Sequence, residues 1–421
     1  MNALPGSLAR TKTLRRPILP LAMGVLAVLL ALACEDVDSA DGSDVRDGSD
    51  TRMQDSADVL IVENPSPPDG SRMGWRVGPE VAVSIGKREG EDPYLLYGVT
   101  DATRLSDGRI VVVNFSASEL RVFDDAGTHV DTWGGPGEGP NEFDAPIRNI
   151  ARLPGDSVMV WDSRHSIMRV VAPTGEVARR FLVQEPAERR GDILRPVAVL
   201  RDGSILTSPT PAFYGTEVQV ELRDTEGGLK SSLGRHAGME RHFDVEKRIV
   251  YPVIFGRRLF REAWGELSVV TPNTRYEIRA FAQDGSLARI VRRDHVMRTP
   301  TDAHVQGYIE ARVPSTADSE TQARERERFE PVPVSDHLPA LASMMADALD
   351  HLWVEEYEPP GEESPGVIWC VFDPDGKVLG FVETPEGLEV YDIGEDYIVG
   401  RVRDEMDVEF IEVWPLERVE G

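Results

Sequence analysis

The stretch LSDGRIVVVN (105–114), followed by RVFDDAGTHVDTW (121–133), decides the fold. Each piece sets apolar residues against a polar turn that contains glycine. Asp-Gly and Ala-Gly between alternating hydrophobics mark β-hairpins, because glycine takes positive φ without steric cost. The second piece recurs as RVVAPTGEVARRF (169–181), VELRDTEGGLKSSL (220–233), RAFAQDGSLARIV (279–291) and CVFDPDGKVLGFV (370–382). The first recurs as LPGDSVMVWD (153–162), LRDGSILTSP (200–209), AWGELSVVTP (263–272), ALDHLWVEEY (348–357) and IGEDYIVGRV (393–402).

Six copies are therefore visible. Aligned on the residue after the turn, they fall at Arg109, Ser157, Ser204, Glu266, His351 and Tyr397, with spacings of 48, 47, 62, 85 and 46. A unit of about 46 residues holds four short strands, the size of one β-propeller blade. The reading is all-β, a six-bladed β-propeller over residues 75–418. The long spacings are insertions. The sixth copy lacks a fourth strand, and WRVGPEVAVSIG (75–86) supplies one, closing the ring and covering an exposed strand edge. The longest gap holds a helical insertion at 299–330 between blades four and five. Thr299 with Pro300 and Asp302, then Ser315 with Asp318, carry helix-start signals.

The N-terminus reads differently. Arg10, Lys12, Arg15 and Arg16 precede an uncharged run, PILPLAMGVLAVLLALA (17–33), which ends at Cys34. That run is short for a permanent span and suits an export signal over residues 1–33. ALAC (31–34) resembles the lipobox of bacterial lipoproteins. The resemblance implies cleavage before Cys34 and acylation there, tethering the chain to the membrane on the exported side of the cell envelope. Residues 34–74 are rich in Asp, Ser and Gly, with 11 acids against 3 bases from Glu35 to Gly74. Such a segment has little to bury and is expected to be a disordered tether.

Composition narrows the partners. The chain of 421 residues carries 73 acids and 46 bases, a net charge of −27. That balance argues against nucleic acid, whose phosphates need clustered Lys and Arg. Two cysteines, Cys34 and Cys370, exclude a disulfide scaffold and a thiolate zinc site. The pattern GGPGEGPNEFDAPIRNIARLPGDSVMVWDSRHSIMRVVAPTGEV (134–177) resembles an NHL-type repeat, in Pro136, Gly137, Glu142, Phe143, Pro146, Gly155, Val160, Asp162, Ser163 and Gly175. It places the chain beside bacterial six-bladed propeller lipoproteins that resemble NHL proteins. Asp162 in this motif is read as structural.

No catalytic or metal motif stands out, and the residues name no cofactor. There is no G-x-S-x-G, no H-E-x-x-H, no C-x-x-C and no Walker loop. The eight His have no ligand spacing. Cys370, inside an apolar strand, reads as an inert core thiol. Counting eight positions back from the blade turns gives Thr100, Arg148, Arg195 and Arg257. Three Arg at one offset suggest an anion-binding patch at a channel mouth, the alternative being that they pair with loop acids such as Glu142 or Asp144. Two functions stay open. One is a binding or scaffold module for a peptide, glycan, envelope protein or anionic small molecule. The other is a lactonase, lyase or hydrolase at the propeller mouth, with or without a metal.

Overall fold

Strand pairing follows the repeat. In the computed structural model, which describes residues 51–56, 58–67, 73–162, 166–183, 194–209, 217–314, 317–362 and 366–419, six sheets built on four-stranded antiparallel meanders or their equivalent follow one another along the chain, with one two-stranded hairpin beside them. The fold is a six-bladed β-propeller. The inner strands are Val99–Arg104, Ile147–Arg152, Leu194–Val199, Leu259–Trp264, Leu341–Ala346 and Glu389–Ile393. Blade one's inner strand lies beside those of blades two and six, and blade four's beside those of three and five. Residues 1–50, which include the expected export signal and Cys34, lie outside the described residues, as does the side chain of Asp162.

The recurrent D-x-x-G turns form for a local reason. Asp124 Oδ1 accepts the backbone N–H of Ala126 (3.1 Å) and of Thr128 (2.7 Å). Asp373 does the same for Asp375 and Lys377, and Asp224 for Glu226 and Gly228. A short acceptor thus holds these outer hairpins of blades one, three and five closed. In blade two the turn glycine has a second duty. Gly175 sits at φ +89°, and a Cβ there would come within 2.4 Å of the Trp133 ring of blade one. The blades pack through such apolar seams, for example Val111, Val113 and Val122 against Ile147, Ile150 and Val158.

The long spacings contain extra elements. A hairpin of Arg241–Asp244 with Ile249–Pro252 precedes blade four. Helices α1 (Asp302–Glu310) and α2 (Ser319–Glu327) lie between blades four and five. Their starts differ from the sequence expectation. Thr301, not Thr299, caps α1, and His304 closes the capping box in place of an acid. Asp318 caps α2, and Ser315 lies outside the described residues.

The N-terminal side corrects the tether reading for residues 52–64. Here β1 (Arg52–Ser56) and β2 (Val59–Asn64) form a hairpin, and β2 runs parallel to Leu287–Arg293, widening blade four to six strands. The local composition is acidic, but VLIV (59–62) carries enough apolar surface to pack. Val62 is fully buried among Val291, Val354, Cys370 and Phe372. Asn64 is buried too. Its amide donates to Gly376 O (2.9 Å) and Arg292 O (3.1 Å), and its oxygen accepts Val378 N–H (2.9 Å). Beyond it, Met73 N–H donates to Phe381 O of blade five. Then β3 (Arg76–Val77) and β4 (Val83–Ile85) pair antiparallel with Glu409–Glu417, the last strand of blade six. Residues 52–85 therefore touch blades four, five and six in turn.

Candidate functional site: the central channel

The inner strands are irregular in a repeated way. Their register slips by one residue at Thr100, Arg148, Val197, Ala342 and Tyr391, and blade four alone runs straight. A bulge adds one unpaired residue and re-aims its neighbours. Thr100 and Asp101, although adjacent, consequently both line the channel, as do Val390 and Tyr391.

The wider part of the channel is a cavity of about 780 Å³ with four carboxylates, Asp101, Glu262, Glu355 and Glu389, and no Lys or Arg in its lining. Trp161, Trp369 and Met345 supply apolar wall. Glu389 is paired with Arg401, and Glu355 accepts the Ser343 hydroxyl. Asp101 accepts the amides of Ala102 (2.9 Å) and Ile150 (3.0 Å). Glu262 has no hydrogen bond or ion pair among the described residues. A narrower cavity of about 290 Å³ adjoins it and shares Asp101. There the charges are matched: Arg201 meets Asp350 at 2.8 Å, and Asp347 meets Arg418 at 2.8 Å.

Burial without a counter-ion shows in the proton affinities. Asp101 and Glu262 are half-buried and both line the channel. Burial pushes the Asp101 carboxyl up to about 7, against the two amide hydrogen bonds and with Asp392's charge adding to the rise. Burial pushes Glu262 up to about 8, with Arg261 pulling it down and Asp101 raising it further. Glu355 is raised by burial and by Glu358. The dominant cause in each is loss of hydration of the charged form.

A stability prediction arises here. A carboxyl whose folded pKa is raised holds its proton in the native state while the unfolded chain has already lost it. Stability therefore falls as pH rises from about 4 through 7–8, by up to about 1.4 kcal/mol per pH unit for each proton retained. The Asp101→Asn, Glu262→Gln variant should flatten that decline. Urea melts at pH 5 and pH 8 check it, and parallel slopes in parent and variant would rule it out.

The arginines expected at a common height lie outside the lining of the two channel cavities. Arg148 stacks on Phe115, 4.2 Å from the ring centroid. Arg195 lies exposed on the inner strand of blade three. Arg257 precedes its strand and donates from Nε to Gly238 O (3.0 Å). None lines either channel cavity. Counting failed for two reasons. Blade four turns in two residues, between paired Trp264 and Leu267, whereas blade one uses five between Arg104 and Ile110. The bulges then shift the other strands by one. Neither Glu142 nor Asp144 pairs with these arginines. Glu142 accepts Gly139 N–H, and Asp144 holds Arg169 and Arg180. Cys370 is fully buried, and burial pushes its thiol up to about 11, which keeps it a poor nucleophile. Among the described residues, no group of three His, Cys, Asp or Glu could hold a metal ion.

No family model and no curated protein matches the chain. Solved structures do. A Bacteroides fragilis protein described as a candidate exported protein is 12% identical, with a TM-score of 0.45 over 86% of this chain and 100% of its own. A DUF4221 member from Bacteroides vulgatus is 10% identical, with a TM-score of 0.45 over 82% and 99%. Virginiamycin B lyase of Staphylococcus aureus, solved with quinupristin, is 9% identical, with a TM-score of 0.40 over 82% and 100%. At this distance the likeness concerns the repeated-strand architecture alone.

Proposed function

We propose that the protein is an exported, lipid-tethered propeller of the NHL-like kind that acts as a binding module, and that its channel takes a cationic group, an ammonium or guanidinium carried by a peptide or amine. One observation carries this reading: Asp101 and Glu262 face an uncharged-to-acidic cavity with no base in its lining. Burial raises the two carboxyls to about 7 and about 8, so each exchanges its proton in the neutral range. An entering cation supplies a counter-charge and displaces the proton, so affinity rises as pH rises from 6 to above 8. The anion patch expected at Arg148, Arg195 and Arg257 lies outside the lining of this cavity.

The experiment is calorimetric titration with the tripeptide Gly-Arg-Gly in buffers of different ionisation enthalpy. Binding should release protons, tighten with pH, and weaken at least tenfold in Asp101→Asn, Glu262→Gln. Binding that is pH-independent, or unchanged in the variant, would contradict the channel reading. Tethering itself is read at Cys34: Cys34→Ser should leave the membrane fraction or retain its signal, and unchanged fractionation would refute it.

The enzyme reading is favoured by the same two carboxyls. A pair poised near 7 and 8 is suited to general acid and base work at neutral pH. Turnover of lactone or ester probes, lost in Asp101→Asn and in Glu262→Gln, would select a lactonase, lyase or hydrolase over a binding module.

A further inference from the structure

A second concave site lies away from the channel lining just described. It is a cavity of about 240 Å³ where the hairpin before blade four, helix α1 and the chain after blade five's second strand meet. Its lining includes Arg257, Arg258 and Arg312. The sequence had already drawn attention to Arg257, for another position.

Many arginines of the molecule are matched to carboxylates, as Arg293 is to Glu356, Arg169 to Asp144 and Arg401 to Glu409. Among the described residues, Arg257, Arg258 and Arg312 have no carboxylate within 4.0 Å. Arg257 spends only Nε, on Gly238 O. Glu240, which also lines the cavity, is engaged by the backbone N–H of Arg257 at 3.2 Å, not by its guanidinium. Arg258 fixes its backbone N–H on Asn273 Oδ1 (2.8 Å), and its guanidinium has no partner among the described residues. Arg312 lies flat on the Tyr308 ring, 3.4 Å from the centroid, and donates to Tyr308 O (2.9 Å). That leaves most of three donor forks unspent around one small space.

Two further observations agree. The wall is aromatic and fixed: Phe255 meets Tyr308 at 5.1 Å and Tyr357 at 6.3 Å between ring centroids. Phe255 is buried with φ at +55°, a left-handed conformation unusual for a bulky residue. Such strain persists only where the surroundings enforce it, and it concentrates at ligand sites. Arg312 and Arg258 also both pull down the Tyr357 hydroxyl pKa that burial raises, so the two guanidinium groups act on the same ring.

We propose that this pocket binds an organic carboxylate, its anionic end held by Arg258 and Arg312 and its apolar part lying on Phe255 and Tyr357. Guanidinium forks match a planar carboxylate in two parallel hydrogen bonds. Glu240 and Glu358 at the rim leave a small positive excess, which suits one anionic group and disfavours a polyanion. The aromatic wall favours an organic acid over inorganic phosphate. The site is separate from the cation reading of the channel and stands whether or not that reading does.

The test uses the full-length protein with benzoate and, separately, inorganic phosphate as probes, read by calorimetry. Benzoate should bind saturably, and Arg258→Gln and Arg312→Gln should each weaken it about tenfold with an unchanged melting temperature, since both side chains are exposed. Arg312→Lys should recover only part of the loss, because an ammonium cannot form the paired bonds. Asp101→Asn, Glu262→Gln should bind benzoate as the parent does. Binding of phosphate in preference to benzoate, equal benzoate affinity in the arginine variants, or no saturable benzoate binding would each overturn the proposal.

Discussion

Deleting residues 73–86 should leave little or no folded protein at 37 °C. The deletion removes β3 and β4, and with them the only strand cover of Glu409–Glu417 on that side among the described residues. Ile85 is buried with Val399, Ile411 and Val413. Trp75 packs against Trp353 and His351, at 6.1 and 4.9 Å, with Arg418 over its ring at 4.2 Å. Each such side chain contributes roughly 1.5–3 kcal/mol. Several together approach the roughly 5–15 kcal/mol that holds a domain folded. The bare strand edge adds an aggregation hazard. Circular dichroism melts and size exclusion check the outcome. A melting temperature within a few degrees of the parent would show that these strands do not close blade six.

Replacing Arg293 with Ala should cost about 3–5 kcal/mol. Arg293 is 6% exposed and holds Glu356 through both nitrogens, at 2.6 and 2.8 Å. Its guanidinium lies 3.8 Å over the Tyr276 ring, and the Tyr276 hydroxyl donates to the same carboxylate at 3.0 Å. Blades four and five are joined through this group. Truncation leaves a carboxylate without its cation in an apolar seam. Arg293→Met combined with Glu356→Leu should lie within about 2 kcal/mol of the parent, because no charge is stranded. Denaturant unfolding of the parent, single and double variants separates the cases. A single variant as stable as the double would mean that the pair carries no coupling.

The repeat was legible because its signals are local. Alternating apolar residues around D-x-x-G turns specify hairpins whatever surrounds them, and Asp124, Asp224 and Asp373 act within four residues of themselves. The tether reading failed at Val59–Asn64 because a window dominated by Asp and Ser conceals a four-residue apolar run. That run is a strand only because blade four offers Leu287–Arg293 beside it. The channel was illegible for a related reason. Which inner-strand residue faces the axis depends on bulges at Thr100, Arg148, Val197, Ala342 and Tyr391, and one bulge reverses every residue beyond it. Counting therefore selected Thr100 and passed over Asp101 beside it. Glu262 in LFREAW (259–264) stands next to Arg261 in sequence, and no motif there marks it out. In the fold, alternation turns them to opposite faces, and only Glu262 lines the channel.

The central claim is that Asp101 and Glu262 are protonated near neutral pH and are the place where a cation enters. At a given pH and equal access, carbodiimide activates a carboxyl of higher pKa faster, because more of it carries the proton that the addition needs. Labelling the intact protein at pH 7 with carbodiimide and an amine, with and without Gly-Arg-Gly, and mapping the adducts by mass spectrometry tests both halves at once. The account predicts that Asp101 and Glu262 label ahead of surface carboxylates such as Glu310 and Asp284, and that the tripeptide protects them. Labelling of Asp101 and Glu262 no faster than Glu310, or equal labelling with the tripeptide present, would contradict it.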